Sequence, residues 1–227
     1  MKNQFSTLAL TFLFSFLAFQ VTAQKTIREG KLIYAISYPD MELDANMAAM
    51  LPVESVVYFN EDFSRTETAM GMGMSSASIV NSKTGGVTTL MDMMGTKSAI
   101  VMTDEQVKDA RKKSEASGLK VEVTNETKEI AGYECKKAIL KDETSNISFE
   151  VYFTDKINSY AQMSSEWKDL KGCPMEFTVE QGGMKFQMVA KSVSAEPVAV
   201  DMFKIPSDYK IVTQEEMMKM LGAGTKD

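Results

Sequence analysis

Polar and apolar positions alternate along most of this chain. "KLIYAISY" (31–38) puts Leu32, Tyr34, Ile36 and Tyr38 on one side of an extended segment, because successive strand side chains point to opposite faces. "SVVYFNEDFSRTETAMGMG" (55–73) is a longer run of the same kind. "SASIVNSKTGGVTTLMDMMGTKSAIVMT" reads as three strands, with turns at "NSKTGG" and near Gly95. The back half repeats the pattern in "KVEVTNET", "YECKKAIL" and "SFEVYFTD". There "MEFTVEQGGMKFQMVAKSV" predicts a hairpin about Gly182 and Gly183. These short spacings predict an antiparallel meander.

Helix signals are fewer and better marked. Thr103-x-x-Gln106, Ser159-x-x-Gln162 and Thr213-x-x-Glu216 are capping boxes, closed by Gly118, Gly172 and Gly222. Each box satisfies two otherwise orphaned backbone N–H groups. Segment 104–117 is polar nearly all round and belongs on the surface. Segment 160–170 lines up Tyr160, Met163, Trp167 and Leu170, and the last segment offers Met217, Met218 and Leu221. Residues 41–51 place Leu43, Met47, Met50 and Leu51 at helical spacing before Pro52. The expected fold class is α+β: a curved antiparallel β-sheet, an incomplete barrel, wrapped over a few short helices. No Pro-rich or Ser-rich linker divides the chain, so residues 24–227 are read as one domain.

The first 23 residues are read separately. Lys2 supplies a positive start, Phe5 to Phe19 an apolar stretch, and Val21-Thr22-Ala23 a small-residue cleavage signal. The expectation is a signal peptide cleaved after Ala23 and a periplasmic mature protein. The apolar stretch is short for a span of about 20 residues, and no later stretch is apolar enough to cross a bilayer.

Charge and composition narrow the chemistry. The net charge is −6 without basic clusters, which speaks against nucleic acid and anionic membrane surfaces as partners. There is no histidine. That removes Ser-His-Asp and Cys-His nucleophile systems, the usual zinc sites and the commonest general base. "GMGMSS" and "SKTGG" do not match a phosphate-binding loop. The expectation is a protein that is not an enzyme and carries no cofactor. The two cysteines, Cys135 and Cys173, permit one disulfide in an exported chain. Such a bond would contribute about 4 kcal/mol in the chain-entropy model. The alternative is two buried free thiols.

The least ordinary stretch is "TAMGMGMSSAS" (68–78), with Met70, Met72 and Met74 at every second position. On a strand they share one face, and Met91 and Met93 share a face nearby. Three readings compete. Methionine is a flexible filler of irregular cores. Met-rich surfaces also repack around varied apolar guests. Thioethers, finally, are soft ligands that select Cu(I).

The stretches "IAGYECKKAIL" (130–140), "FEVYFTDKI" (149–157) and "GCPMEF" (172–177) resemble an uncharacterised family of exported proteins common in Bacteroidetes. The closing "VDMFKIPSDYKIV" (200–212) is similar to the end of that family and, more faintly, to the end of the periplasmic lipoprotein carrier LolA. The resemblance implies a LolA/LolB-like fold, in which a cavity between sheet and helices receives acyl chains. Arg65 lies in about the strand whose arginine holds the LolA lid closed, among different neighbours.

The functional expectation is therefore a carrier or binding protein for an apolar ligand: a hydrophobic small molecule, a lipid, an acyl chain or a lipidated protein. Met70, Met72, Met74, Met91, Met93 and Trp167 are the expected lining. The alternatives are a Cu(I)-handling protein and a structural envelope protein without a ligand.

Overall fold

The alternating segments become the strands of one sheet. The structure, a computed structural model, describes residues 26–116, 119–142, 147–159, 170–181 and 184–220. Eleven alternating runs fold as β1 (Gly30–Ser37), β2 (Glu54–Phe59), β3 (Phe63–Met70), β4 (Met74–Asn81), β5 (Val87–Met93), β6 (Thr96–Val101), β7 (Leu119–Ile130), β8 (Tyr133–Asp142), β9 (Ile147–Thr154), β10 (Cys173–Gln181) and β11 (Met184–Ser194). A two-residue strand, β12 (Lys210–Ile211), joins them. Their order in space is β12-β6-β5-β4-β3-β2-β1-β11-β10-β9-β8-β7. The architecture is mostly β, one large open curved sheet with few short helices.

Tight turns explain why neighbours in sequence pair so often. Met94 and Gly95, at φ +52° and +93°, form the two-residue connection from β5 to β6. Ala131 and Gly132, at +50° and +80°, do the same between β7 and β8. Positive φ at both central residues matches the right-handed twist of the flanking strands. The pairings are antiparallel except that of β12 with β6, which is parallel. Curvature is strongest in the back half, where β7 comes into contact with β11, four strands away.

The helices are α1 (Ala45–Met50), α2 (Asp104–Ala116) and α3 (Gln214–Met220). Two of the predicted capping boxes form. Thr103 N donates to Gln106 Oε1 at 2.8 Å, and Gln106 N to Thr103 Oγ1 at 3.3 Å. Thr213 N donates to Glu216 Oε2 at 2.8 Å, and Glu216 N to Thr213 Oγ1 at 3.1 Å. The third box extends beyond the described residues, as does the predicted helix over 160–170, of which only Leu170 is described. The apolar face expected for 41–51 does not enter a core. None of the α1 residues is buried, and Met47 and Met50 are 44% and 48% exposed.

The sheet buries different faces in its two halves. Leu32 stands opposite Val57, and the row continues through Thr66, Ser78, Thr89 and Ile100. On this face the first core gathers Leu32, Tyr34, Ile36, Val57, Phe59, Val151, Phe177 and Met188. The second core contains Ala77, Ile79, Leu90 and Ala99, one residue out of phase with that row and so on the opposite face. Val198 and Phe203 close it from above. The segment that carries them includes a single 3₁₀ turn, Val200–Phe203. Burying each large apolar side chain contributes about 1.5–3 kcal/mol, so both halves have a driving force of their own.

Arg65 fastens this segment. Its Nη1 donates to the carbonyl of Met202 at 3.0 Å, while its Nε donates to Glu67 Oε1 at 2.6 Å. Phe63 stacks on Phe203 with ring centroids 5.5 Å apart.

The predicted disulfide is not formed: Cys135 and Cys173 are both buried, and neither is part of a disulfide. Topology gives the reason. Cys173 pairs with Thr154 of β9, and Cys135 lies one residue beyond the Lys136–Phe153 pair with that same strand. A whole strand separates them, two steps of about 4.8 Å. A disulfide needs Cα atoms within about 4.4–6.8 Å.

Candidate functional site

The face that holds the first core changes character as it crosses β3 to β6. Aliphatic side chains give way to Ser64, Thr66 and Thr68 on β3, Ser76 and Ser78 on β4, Thr89 on β5 and Ser98 on β6. At the hairpin end of these strands the face becomes methionine. Met70 stands directly opposite Met74, and Met74 directly opposite Met93. Met91 follows in the next row, between Ser76 and Ser98. Four of the six expected lining residues are thus brought together, all of them half-buried. Among the described residues, this face of β3 to β6 carries no charged side chain.

Met72 is a correction. The alternation predicts it beside Met70 and Met74, but it sits in the loop between β3 and β4. Its φ is +63° and it is 66% exposed. Gly71 and Gly73 flank it, and Gly73 also has positive φ, at +72°. These glycines let the chain reverse within three residues. Met70 and Met74 still meet because the hairpin folds them onto one another. Trp167, the sixth expected residue, lies outside the described residues.

Sequence reasoning overlooked Met94. It occupies the adjacent hairpin tip, 71% exposed. The signal was present in "MMGT", where a residue followed by Gly between two strand runs marks a two-residue turn. Helix α1 lies against the same end. Gly71 N donates to Met50 O at 3.2 Å, and a Cβ on Gly71 would fall 2.0 Å from Ala49 O. Asp44 caps α1 by accepting from Asn46 N and Met47 N at 2.9 and 2.8 Å. Exposed Met47 and Met50 therefore sit at the corner where Met72 and Met94 project.

A second polar feature lies inside the first core. Tyr34 donates through its hydroxyl to Pro174 O at 2.6 Å, and the Tyr34 hydroxyl oxygen is 4.0 Å from Cys173 Sγ. Ser159 Oγ donates to Cys173 Sγ at 3.6 Å. Burial, followed by the neighbouring Cys173, raises the Tyr34 hydroxyl well above its ordinary range. Burial and then Cys173 push the Cys135 thiol up to about 12. A thiol so shifted is protonated at neutral pH, so Cys135 is neither nucleophile nor ready metal ligand there. This cluster satisfies buried polar atoms and ties β1 to β10.

Elsewhere, a recess of about 790 Å³ is lined by Thr26, Ile27, Arg28, Glu29, Ala195, Glu196 and Pro197. It shares no residue with the methionine face. The outer side of the back strands carries ion pairs such as Lys128–Glu176 and Lys137–Glu150. Among the described residues, no group of three or more His, Cys, Asp or Glu side chains is placed to hold a metal ion. No helix among them is long and apolar enough to cross a membrane.

The profile of a family described as a domain of unknown function, DUF4412, matches residues 40–209. The chain belongs to the DUF4412 family. The matched region contains the second core, the whole methionine face and the buried residues of the first core except Leu32, Tyr34 and Ile36 of β1. Among curated proteins, none matches the chain in sequence. Two crystal forms of PNGF-II are similar in structure. The C2 form has a TM-score of 0.52 at 15% identity, covering 85% of this chain and 32% of that one. The P21 form has a TM-score of 0.50 at 13% identity, covering 87% and 34%. The DUF4412 chain thus spans about a third of PNGF-II, and the likeness is one of fold. A β-barrel-like protein of Brucella abortus, from a domain of unknown function termed DUF1849, aligns at 9% identity with a TM-score of 0.30, covering 77% of this chain and all of that one.

Proposed function

We propose that this protein is an exported, periplasmic carrier or binding protein for an apolar ligand, built as a LolA/LolB-like half-barrel and without catalytic chemistry. A lipid, an acyl chain or a lipidated protein is the occupant. The observation that carries the reading is the half-buried methionine set on an uncharged sheet face, with further methionines exposed at its rim. Flexible thioether side chains adapt their packing to guests of different shape. The surrounding Ser and Thr residues interrupt the apolar surface without placing charge on it. Burial of the guest supplies affinity at about 25 cal/mol per Å² before ordering costs.

Titration of the purified chain with a fluorescent fatty acid tests this reading. Saturable binding is expected, weakened by serine at Met70, Met74 and Met91 while the circular dichroism spectrum is retained. An equal response from wild type and variant contradicts it.

A further inference from the structure

The same corner has a chemical capacity that apolar burial does not use. Met70, Met74 and Met93 occupy consecutive positions of one cross-strand row, with Met74 in the middle. Directly opposed side chains in such a row have Cβ atoms about 4.5–5.5 Å apart. Each methionine has three rotatable bonds before its terminal methyl. Three sulfur atoms can therefore converge above Met74, with Met91 on the same face as a fourth donor. We propose that this row is a binding site for a soft monovalent metal ion, Cu(I) or its analogue Ag(I).

The surroundings favour that class over others. Thioethers are soft ligands and select Cu(I), whereas Zn(II) and Cu(II) draw on imidazole, and Mg(II) and Ca(II) on carboxylates. The chain has no histidine to offer. The face carries no Lys or Arg to repel a cation, and no carboxylate to recruit a hard one. All four sulfur-bearing residues are half-buried, which allows access yet excludes part of the competing water. Thioethers do not titrate, so binding at this row is independent of pH across the range where thiol and imidazole sites release metal. Met72 lies outside the row, in its loop, and is not a ligand.

The test is an anaerobic Cu(I) titration of the purified chain against a chromophoric Cu(I) competitor, at pH 5 and pH 7. X-ray absorption of the loaded protein accompanies it. One Cu(I) per chain is expected, with a sulfur-only first shell and the same affinity at both pH values. Met74→Leu should weaken it by about tenfold or more, since one of three ligands is lost. The competitor's colour and the sulfur shell seen by X-ray absorption report metal coordination directly, whether or not the face also accepts a fatty acid. The copper result therefore stands or falls separately from the carrier reading. A folded wild-type protein without stoichiometric uptake overturns the proposal. So does Met74→Leu with undiminished affinity, and so does uptake that disappears at pH 5, which would assign the metal to the thiols.

Discussion

Met74 of β4 stands directly opposite Met93 of β5 and, on its other side, directly opposite Met70 of β3. These three residues come from two hairpins, and their neighbours on the face are Ser and Thr. Half-exposed methionines in such a setting are weak contributors to the folded state. Replacing Met70, Met74 and Met91 together by serine should lower stability by roughly 1 kcal/mol per site, below the 2–5 kcal/mol typical of a buried Met→Ala change. Met175, which is fully buried, should show the larger cost when changed to alanine. Urea unfolding of the two variants checks the contrast.

Gly71 is where α1 meets the β3–β4 hairpin. An added Cβ would lie 2.0 Å from Ala49 O and 2.8 Å from Met50 Cα, both backbone atoms. Gly71→Ala should therefore displace α1 and destabilise by about 1–3 kcal/mol, as overpacking does. Hydrogen exchange should show faster exchange at residues 45–50 with little change in β8 to β10.

Arg65 holds the C-terminal segment over the second core. Its side chain is only 12% exposed and serves both Glu67 and the Met202 carbonyl. Arg65→Ala removes a charge-assisted donor and leaves that carbonyl unmatched. A loss of about 1.5–3 kcal/mol is expected. Proteolysis should then begin within 198–209, and Arg65→Lys should restore part of the protection.

Alkaline pH acts on the first core. In the folded protein Cys135 titrates at about 12, because burial disfavours the thiolate. An unfolded cysteine titrates near 8.5. A folded pKa raised above the unfolded one means that stability is complete below about pH 8.5. It is then lost progressively as the pH rises toward the folded value. The buried Tyr34 hydroxyl shifts the same way and steepens the loss. Urea midpoints measured from pH 7 to pH 11 should fall above about pH 9. Cys135→Ala should flatten part of that slope.

Much of the sheet is legible in the sequence because alternation has one period and one meaning. "KLIYAISY" leaves little choice once Leu32, Tyr34 and Ile36 must share a face. The capping boxes at Thr103 and Thr213 are equally local, needing only residues three apart. "MGMGM" is not legible in this way, because strand alternation and a glycine-flanked hairpin place the same residues at the same spacing. Only the pairing of Met70 with Met74 decides between them. The two-faced burial is hidden for another reason. Ile79 and Leu90 are buried by Phe203 and Val198 from far along the chain, and the Arg65–Met202 contact that fastens this cover spans 137 residues. The disulfide expectation failed on topology, since a cysteine count carries no information about the strand lying between Cys135 and Cys173.

The most direct measurement is native mass spectrometry of the protein expressed from the full sequence and purified without detergent, repeated after denaturation. A bound mass that matches a lipid, disappears on denaturation and is diminished by serine at Met70, Met74 and Met91 is the expected result. A bare chain from wild type and variant alike, both folded, contradicts the carrier reading and makes the methionine face a structural filling.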